Sequence, residues 1–161
     1  MVKEKASCWK VFHQQGRNDV DRAELWVNWV CGKEGVVVYL YQEPSVEAAI
    51  KLFYEMRTAP VAAPGRLVES YKFGDESFIS SYNPYSRSSY VLFRKGSIII
   101  RIDSGTTGKA SSARTLKNAV RFAQLFVEKI SPQPNNGMYP SPQSLVECFI
   151  DFYVQAGRAE R

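Results

Sequence analysis

The fold is decided by the stretch Ser89-Tyr90-Val91-Leu92-Phe93-Arg94-Lys95-Gly96-Ser97-Ile98-Ile99-Ile100-Arg101-Ile102. Two runs of β-branched and aromatic residues flank its centre, which is typical of a β-hairpin with a two-residue turn at Lys95-Gly96. That turn pairs Phe93 with Ile98 and divides the side chains between two faces. The predicted core face holds Val91, Phe93, Ile98, Ile100 and Ile102. The other face is mixed, so it is either partly covered or a contact surface, and it holds Tyr90, Leu92, Arg94, Ile99 and Arg101.

Five more strands and one helix are expected before this hairpin. The strands are predicted near residues 8–13 and at residues 23–31, 36–41, 66–71 and 77–82, from their apolar residues and the turns between them. Ser45 is the expected N-cap of a helix that runs to Arg57, because apolar residues recur there at helical spacing. Pro60 and Pro64 lie beyond its end.

A loop rich in Gly, Ser and Thr at residues 104–110 follows the hairpin and leads into an amphipathic helix expected at residues 112–130. The chain thus consists of two similar halves, each a set of strands that ends in a helix. This order predicts an α+β fold, with an antiparallel sheet built from two strand-strand-helix units and both helices packed on one face. We expect residues 1–130 to form this single domain.

The last residues are expected to stand apart from the domain. Residues 131–142 hold four of the eight prolines, so we interpret them as a linker. Residues 143–161 are predicted to form a tethered C-terminal amphipathic helix, with Ser141-Pro142 at its start. Its apolar side needs a cover, which is either the chain's own sheet or a partner. If a partner covers it, that partner could be a second copy of the chain, which would make a homodimer through this helix.

The three cysteines and the single histidine, His13, point away from metal binding and covalent catalysis. Cys8, Cys31 and Cys148 lie far apart and lack the paired spacing that structural zinc sites use. We interpret them as partly or fully buried thiols that act as small hydrophobic side chains, although Cys8 and Cys31 could form a disulfide if their strands are neighbours. No catalytic residue, metal or cofactor is therefore assigned.

Positive charge is concentrated in one part of the chain. The whole sequence has a formal net charge of +5, whereas residues 87–129 contain nine basic and two acidic residues, a net of +7. Two groups of these cations share a side: Arg114, Lys117 and Arg121 on the second helix, and Arg94 and Arg101 beside Tyr90 on the outer sheet face. Basic residues interleaved with an aromatic ring favour nucleic acid or an anionic surface. The alternative is a solvated face that keeps the protein soluble.

Two loops and one acidic turn have patterns associated with ligands. Asp103 to Ala110 lies between a predicted strand and a helix, as phosphate-binding loops do, but it lacks the residues that the nucleotide-binding pattern requires around Lys109. Weak anion binding is the remaining interpretation. Tyr82 and Tyr85 lie in an aromatic loop that either forms a binding rim or caps the core. Asp75-Glu76 lies in a solvated turn, which does not separate two pKa values as acid–base catalysis requires.

A resemblance rests on the turn Phe73-Gly74-Asp75-Glu76-Ser77-Phe78, the hairpin from Tyr90 to Ile102 and the amphipathic helix after it. These features resemble small bacterial secreted or lipoprotein-type domains, which are largely of unknown function. The resemblance covers about residues 36–130 and implies an α+β fold without catalytic residues. It also implies a secreted or periplasmic location, with the signal segment absent from this chain, because residues 1–5 have no apolar core.

Three hypotheses of function remain. The first is a non-catalytic binding or protein-interaction domain, located outside the cytoplasm, whose partner is an unidentified protein or small ligand. The second is a nucleic-acid or anionic-surface binder that uses residues 87–129, and the third is a small hydrolase or transferase. No membrane span is expected. The residues expected to contact a ligand or partner are Tyr82, Tyr85, Tyr90, Arg94, Arg101, Arg114, Lys117 and Arg121.

Overall fold

The computed structural model describes residues 8–18, 22–58, 67–83, 87–108 and 112–130. These residues form six strands and two helices. The strands are β1 (Lys10–Asn18), β2 (Ala23–Cys31), β3 (Glu34–Gln42), β4 (Glu76–Asn83), β5 (Ser88–Lys95) and β6 (Ile98–Thr106). The helices are α1 (Val46–Thr58), between β3 and β4 in the chain, and α2 (Ser112–Lys129), after β6.

All six strands belong to one antiparallel sheet with the order β1-β2-β3-β6-β5-β4. Strands that are neighbours in the sheet are also neighbours in the chain, except at the centre, where β3 pairs with β6. Val38 lies opposite Ile102 in this central pair. The prediction of an α+β fold with an antiparallel sheet is confirmed. Each half of the sheet is a three-stranded meander that a helix follows in the chain.

Two glycines in the left-handed conformation form the turns of the long hairpins. Gly32, between β2 and β3, has a φ of 60°, and Gly96, between β5 and β6, has a φ of 58°. A two-residue turn needs this conformation at its first position, and glycine adopts it without strain. The second turn is therefore Gly96-Ser97, and Phe93 pairs with Ile100. The predicted pairing was wrong by two residues, a shift that leaves every side chain on its predicted face.

Helix α2 covers the face of the sheet that was predicted to be core. The five hairpin residues of that face are 1 % exposed or less, and they share one cluster with Phe122, Ala123 and Phe126 of α2. The same cluster includes Trp29 of β2, whose ring centroid lies 5.5 Å from that of Phe122. Burial of these large side chains supplies the main favourable term in folding.

Helix α1 packs against the opposite face. Its Ala49 and Phe53 form a separate cluster with Leu92 of β5 and Ile99 of β6, and all four are 1 % exposed or less. The prediction that both helices pack on one face was therefore wrong. The reason is that successive strand residues point to opposite sides, so Leu92 and Ile99 require an apolar cover of their own.

The start of α1 was predicted correctly from its local sequence, whereas the end of β6 was not. Ser45 is the N-cap of α1, as predicted, since its Oγ accepts a hydrogen bond from the Ala48 N–H at 3.1 Å. β6 continues to Thr106, through the start of the loop expected at residues 104–110, because these residues still pair with β3 and β5.

The strand expected at residues 66–71 is not formed over residues 67–71. Leu67 makes an isolated bridge to Ser80 of β4, and the Val68 N–H donates to the Ile79 carbonyl at 2.9 Å, but residues 68–71 do not continue as a strand. The predicted linker at residues 131–142 and the predicted C-terminal helix at residues 143–161 lie outside the described residues.

Cys8 and Cys31 form a disulfide bond, with their Cα atoms 5.2 Å apart. The bond ties the start of β1 to the end of β2. The interpretation of these two residues as thiols was wrong, because they are bonded to each other, and Cys8 is exposed rather than buried. Their strands are neighbours in the sheet, which is the condition under which the sequence allowed a disulfide. Cys148 lies outside the described residues.

Candidate functional site

One row of side chains crosses the face of the sheet that carries α1. Trp26 of β2 lies opposite Tyr39 of β3, and Tyr39 lies opposite Arg101 of β6. Directly opposed residues of an antiparallel sheet have Cβ atoms about 4.5–5.5 Å apart and point to the same side. Tyr90 of β5 lies diagonally beside Arg101. We call Trp26, Tyr39, Arg101 and Tyr90 the aromatic row.

The guanidinium group of Arg101 contacts both tyrosine rings of the aromatic row. Its Cζ atom lies 5.8 Å from the ring centroid of Tyr39 and 5.4 Å from that of Tyr90. At the other end of the row, His13 of β1 packs on Trp26 with ring centroids 4.7 Å apart. Cation–π contacts at such distances restrict both the cation and the rings. The row is therefore a preorganised strip of ring faces.

Asp103 holds Arg101 from the same strand. The Nε of Arg101 donates to the Asp103 carboxylate at 3.1 Å. Burial alone would lower the pKa of Arg101, but the Asp103 carboxylate raises it above its usual value. Burial raises the pKa of Asp103, and the Arg101 guanidinium opposes that rise. As an ion pair the two groups bring no net charge to the row.

Tyr90 has a buried hydroxyl group. Burial raises the pKa of Tyr90 to about 12, and the nearby Arg101 only partly offsets this effect. The hydroxyl oxygen has no hydrogen-bond partner among the described residues. The Tyr90 ring packs on Phe78 of β4, with centroids 5.6 Å apart. The position of the ring thus depends on packing and on Arg101 rather than on a hydrogen bond.

Helix α1 lies at one end of the aromatic row. It packs on β5 and β6, and Tyr90 is partly buried against its apolar cluster. Trp26 and Tyr39 are half-buried. Tyr41 of β3 also packs against the α1 cluster, whereas Trp26 and Tyr39 do not belong to it. Both side chains are therefore partly accessible, with His13 packed on Trp26 and Arg101 on the Tyr39 ring.

Arg94 was expected to contact a ligand, and it is buried at the end of the β5–β6 hairpin with 7 % of its surface exposed. Its Nη1 donates to Asp75 at 3.1 Å and to the Gly96 carbonyl at 2.9 Å, and its Nε donates to Glu76 at 2.8 Å. Asp75 also accepts the Gly96 N–H at 2.8 Å. Arg94 thus fastens the turn before β4 to the hairpin.

The other expected contact residues do not form one site. Tyr90 and Arg101 belong to the aromatic row, whereas Arg114, Lys117 and Arg121 are exposed on α2, which packs on the opposite face. Arg114 forms an ion pair with Glu34 of β3, whose carboxylate also accepts a hydrogen bond from Asn118. The side chain of Tyr82 and all of Tyr85 lie outside the described residues.

Metal binding and nucleophilic catalysis have little support in the described ranges. No group of three or more His, Cys, Asp or Glu there could hold a metal ion. Cys8 and Cys31 are joined to each other, so neither can act as a thiolate nucleophile. Weak anion binding was the remaining interpretation of the loop from Asp103 to Ala110. The hydroxyl groups of Thr106 and Thr107 in this loop both donate to the Lys33 carbonyl at 3.3 Å, so these donors are used within the protein.

Comparison with known proteins supplies no relative from which a function could be transferred. No family model matches the chain, and neither a curated protein nor a solved structure matches it at a significant level. Among the described helices, neither combines the length and the apolar character needed to cross a membrane. The resemblance to secreted or lipoprotein-type domains stays a prediction.

Two members of the aromatic row were predicted from the sequence, and two were not. Tyr90 and Arg101 were identified because they share the outer face of one hairpin. Trp26 and Tyr39 alternate with apolar neighbours in their strands, which is a visible signal for a face other than the core. Only the pairing of β3 with β6 brings them beside Arg101. That pairing joins distant parts of the chain, which local patterns do not reveal.

Proposed function

We propose that the protein is a non-catalytic binding domain whose ligand is a neutral oligosaccharide, bound along the aromatic row. The observation that carries the proposal is the alignment of Trp26, Tyr39 and Arg101 in register across three strands. Ring faces of Trp and Tyr suit the apolar faces of sugar rings, and their polar edges suit the hydroxyl groups. The strand spacing of about 4.8 Å lets several members of the row contact one extended chain.

Polar side chains beside the row fit a ligand rich in hydroxyl groups. Gln15 of β1 lies opposite Trp26, and Asn28 is the next residue of β2 on the same face. Side-chain amides both donate and accept hydrogen bonds, and the Asp103 carboxylate accepts them. Such groups, placed around an apolar ring face, can bind the hydroxyl groups at the rim of a sugar.

The charges around the aromatic row favour a neutral ligand over an anionic one. Arg101 is paired with Asp103, and Arg17 of β1 lies opposite Glu24 of β2. Recognition of a phosphate backbone depends on cations that neutralise successive phosphates. The row presents aromatic surface with balanced charge, so a polyanion would gain little there.

The disulfide supports a location outside the cytoplasm, as the sequence led us to expect. Disulfides persist in oxidising environments such as the periplasm or the extracellular space, and they are rare in the cytosol. The Cys8–Cys31 bond lies at the edge of the sheet and joins two paired strands. We therefore include a secreted or periplasmic setting in the proposal.

A nucleic-acid or anionic-surface binder is the second candidate, and Lys117 and Arg121 of α2 support it. Both are exposed, and neither makes an ion pair with a carboxylate in the described ranges. Arg114, the third cation of this stripe, is already paired with Glu34. Two available cations are few, because affinity for a phosphate backbone increases with each phosphate neutralised. No described feature favours a hydrolase or a transferase.

Tryptophan fluorescence tests the oligosaccharide proposal, because Trp26 is half-buried whereas Trp9 and Trp29 are only 8 % and 1 % exposed. Titration of the full chain with linear hexasaccharides of glucose and of N-acetylglucosamine should shift the emission of Trp26. Tyr39→Ala should weaken this binding about tenfold, which corresponds to about 1.4 kcal/mol. Lys117→Ala, on the opposite side of the sheet, is the matched control and should bind like the unaltered protein.

Two results would contradict the proposal. One is that neither hexasaccharide binds, and the other is that Tyr39→Ala binds as tightly as the unaltered protein while its circular dichroism is unchanged. A single-stranded DNA dodecamer is the competing probe. Binding of that DNA that weakens steeply with salt, and that is lost in a variant with both Lys117→Ala and Arg121→Ala, would favour the second candidate.

A further inference from the structure

A cleft lies at the β4 edge of the sheet, at the opposite end of the sheet from Trp26. Its volume is about 590 Å³, within the range of roughly 300–1,000 Å³ that small-molecule sites occupy. The segment before β4 forms one wall, and β4 with the end of α1 forms the rest. Charged and aromatic residues line it, among them Arg57, Glu69, Lys72, Asp75, Glu76 and Phe78.

One side of the cleft is aromatic, with Tyr71 exposed and Phe73 6 % exposed. The rings of Tyr71 and Phe73 stack with centroids 6.4 Å apart and planes only 8° from parallel, and both residues line the cleft. Tyr71 is 42 % exposed, and Leu67, which also lines the cleft, is 46 % exposed. Large apolar side chains that remain exposed around a concavity favour contact with an apolar ligand.

Two of the three carboxylates in the cleft are bonded within the protein. Asp75 accepts hydrogen bonds from Arg94 at 3.1 Å and from the Gly96 N–H at 2.8 Å. Glu76 accepts from the Nε of Arg94 at 2.8 Å and from the Tyr54 hydroxyl at 3.0 Å. These bonds fix the two acidic groups as part of the wall, and they occupy both oxygens of Glu76 and the Oδ2 of Asp75.

The two cations in the cleft have no such partners. Arg57 and Lys72 are exposed, and neither makes an ion pair with a carboxylate in the described part of the chain. The guanidinium group of Arg57 lies over the Phe78 ring at 5.4 Å from its centroid. Arg57 thus places a guanidinium group without a carboxylate partner, in the described part of the chain, next to the apolar ring of Phe78. The described lining of the cleft thus places Arg57 and Lys72 near Glu69, while Asp75 and Glu76 are engaged by Arg94.

We propose that the cleft binds a small organic anion with a ring-containing apolar body. The anionic group would lie at Arg57, and the body would lie against Phe78 and the Tyr71–Phe73 stack. A guanidinium group that already packs on a ring can still donate to a carboxylate or sulfonate from its edge. This site takes a small charged molecule and is separate from the aromatic row, so it does not depend on the proposed oligosaccharide function.

Two fluorescent probes with the same aromatic body test the proposal. Anilinonaphthalene sulfonate carries an anionic group, and phenylnaphthylamine is its uncharged counterpart. The full chain should bind the anionic probe at a single site and about tenfold more tightly than the neutral probe, a preference of about 1.4 kcal/mol. Arg57→Gln should abolish this preference, because the neutral amide cannot form a charge-assisted bond.

The matched control is Lys51→Gln, which removes a positive charge from the same helix outside the cleft. Lys51 is exposed, lies 4.0 Å from Glu55 and is not part of the cleft lining. This variant should keep the full preference for the anionic probe, and so should Tyr39→Ala of the aromatic row. Equal affinity for the two probes in the unaltered protein, or an unchanged preference in Arg57→Gln, would overturn the proposal.

Discussion

At the scale of single residues, two glycines with the same backbone conformation have different surroundings. Gly74 has a φ of 59°, and a Cβ atom there would overlap the carbonyl oxygen of Arg94. Gly32 has a φ of 60°, and a Cβ atom there would meet nothing within 4 Å. Conformational strain would thus arise at both positions, and a steric collision only at Gly74.

Gly74→Ala should therefore destabilise the protein far more than Gly32→Ala. We expect a loss of about 1–2 kcal/mol at Gly32 from the left-handed conformation alone. At Gly74 we expect more than about 3 kcal/mol, because the backbone of Arg94 must also move. Unfolding in urea, followed by circular dichroism, measures both losses. Equal losses would show that the turn before β4 yields to the added methyl group.

Tyr90→Phe tests the buried hydroxyl of the aromatic row. At neutral pH the change should be neutral or stabilising by up to about 1 kcal/mol, since it removes a buried oxygen without a partner. The pKa of Tyr90, about 12, lies above its ordinary value of 10.0, so the unfolded chain loses this proton first. The resulting stability is complete below pH 10 and is lost as the pH rises toward 12.

Urea unfolding of the two proteins below pH 10 and again at about pH 11 measures this effect. Tyr90→Phe should lose less stability between the two conditions than the unaltered protein does. Tyr39 and Tyr41, whose pKa values burial also raises, remain in both proteins and supply a common background. If both proteins lost the same stability between the two pH values, the pKa of Tyr90 would not be raised by folding.

At the scale of secondary-structure elements, Arg94 joins the turn before β4 to the β5–β6 hairpin. Arg94→Met should destabilise the protein by about 2–3 kcal/mol, because two carboxylates lose a charged donor. The loss stays moderate because the side chain of Asp75 is 48 % exposed and remains hydrated. Arg114→Met removes the ion pair with Glu34, in which the Arg114 side chain is 65 % exposed and the Glu34 side chain is 11 % exposed. It should cost less, about 1 kcal/mol, because the Glu34 carboxylate keeps its hydrogen bond from Asn118. Thermal and urea unfolding compare the two variants, and similar losses would contradict a joining role for Arg94.

The β5–β6 hairpin shows which parts of an element could be predicted from sequence. The two faces were predicted correctly, because alternation is a local property of each strand. The register was not, because it depends on whether Gly96 is the first or the second residue of the turn. Its φ of 58° decides this, and a side-chain pattern does not contain it. Helix α1 could be located from Ser45 and its apolar spacing, but not the face it covers.

Only those residues of the candidate site that lie on the same hairpin could be predicted from the sequence. Tyr90 and Arg101 lie on one hairpin and were identified from it, whereas Trp26 and Tyr39 join them only through the β3–β6 pair. Arg94 has the same alternation as Tyr90, yet Asp75 and Glu76 bury it. Those carboxylates come from the turn before β4 and the first residue of β4, about twenty residues earlier, and no periodic pattern connects them to the hairpin.

At the scale of the whole molecule, the disulfide should stabilise the edge of the sheet more than its centre. Among the described strands, β1 pairs with β2 alone and is exposed on both faces over residues 10–17, whereas β3 and β6 are paired on both sides. Changing both cysteines with Cys8→Ser and Cys31→Ser should cost about 3 kcal/mol. Hydrogen exchange should quicken in β1 and at the end of β2, and stay slow in β3 and β6. An equal increase in the exchange rate of all six strands would contradict a local stabilising effect of the disulfide.

The central β3–β6 pair has a consequence for the order in which the chain folds. Four of the five strand pairings join neighbours in sequence, so each meander can form from its own hairpins. The β3–β6 pairing instead closes a long loop, whose entropic cost grows with its length. Non-local pairings of this kind slow folding. We expect the two meanders to nucleate separately and the seam between them to close last, with Val38 meeting Ile102 in the rate-limiting step.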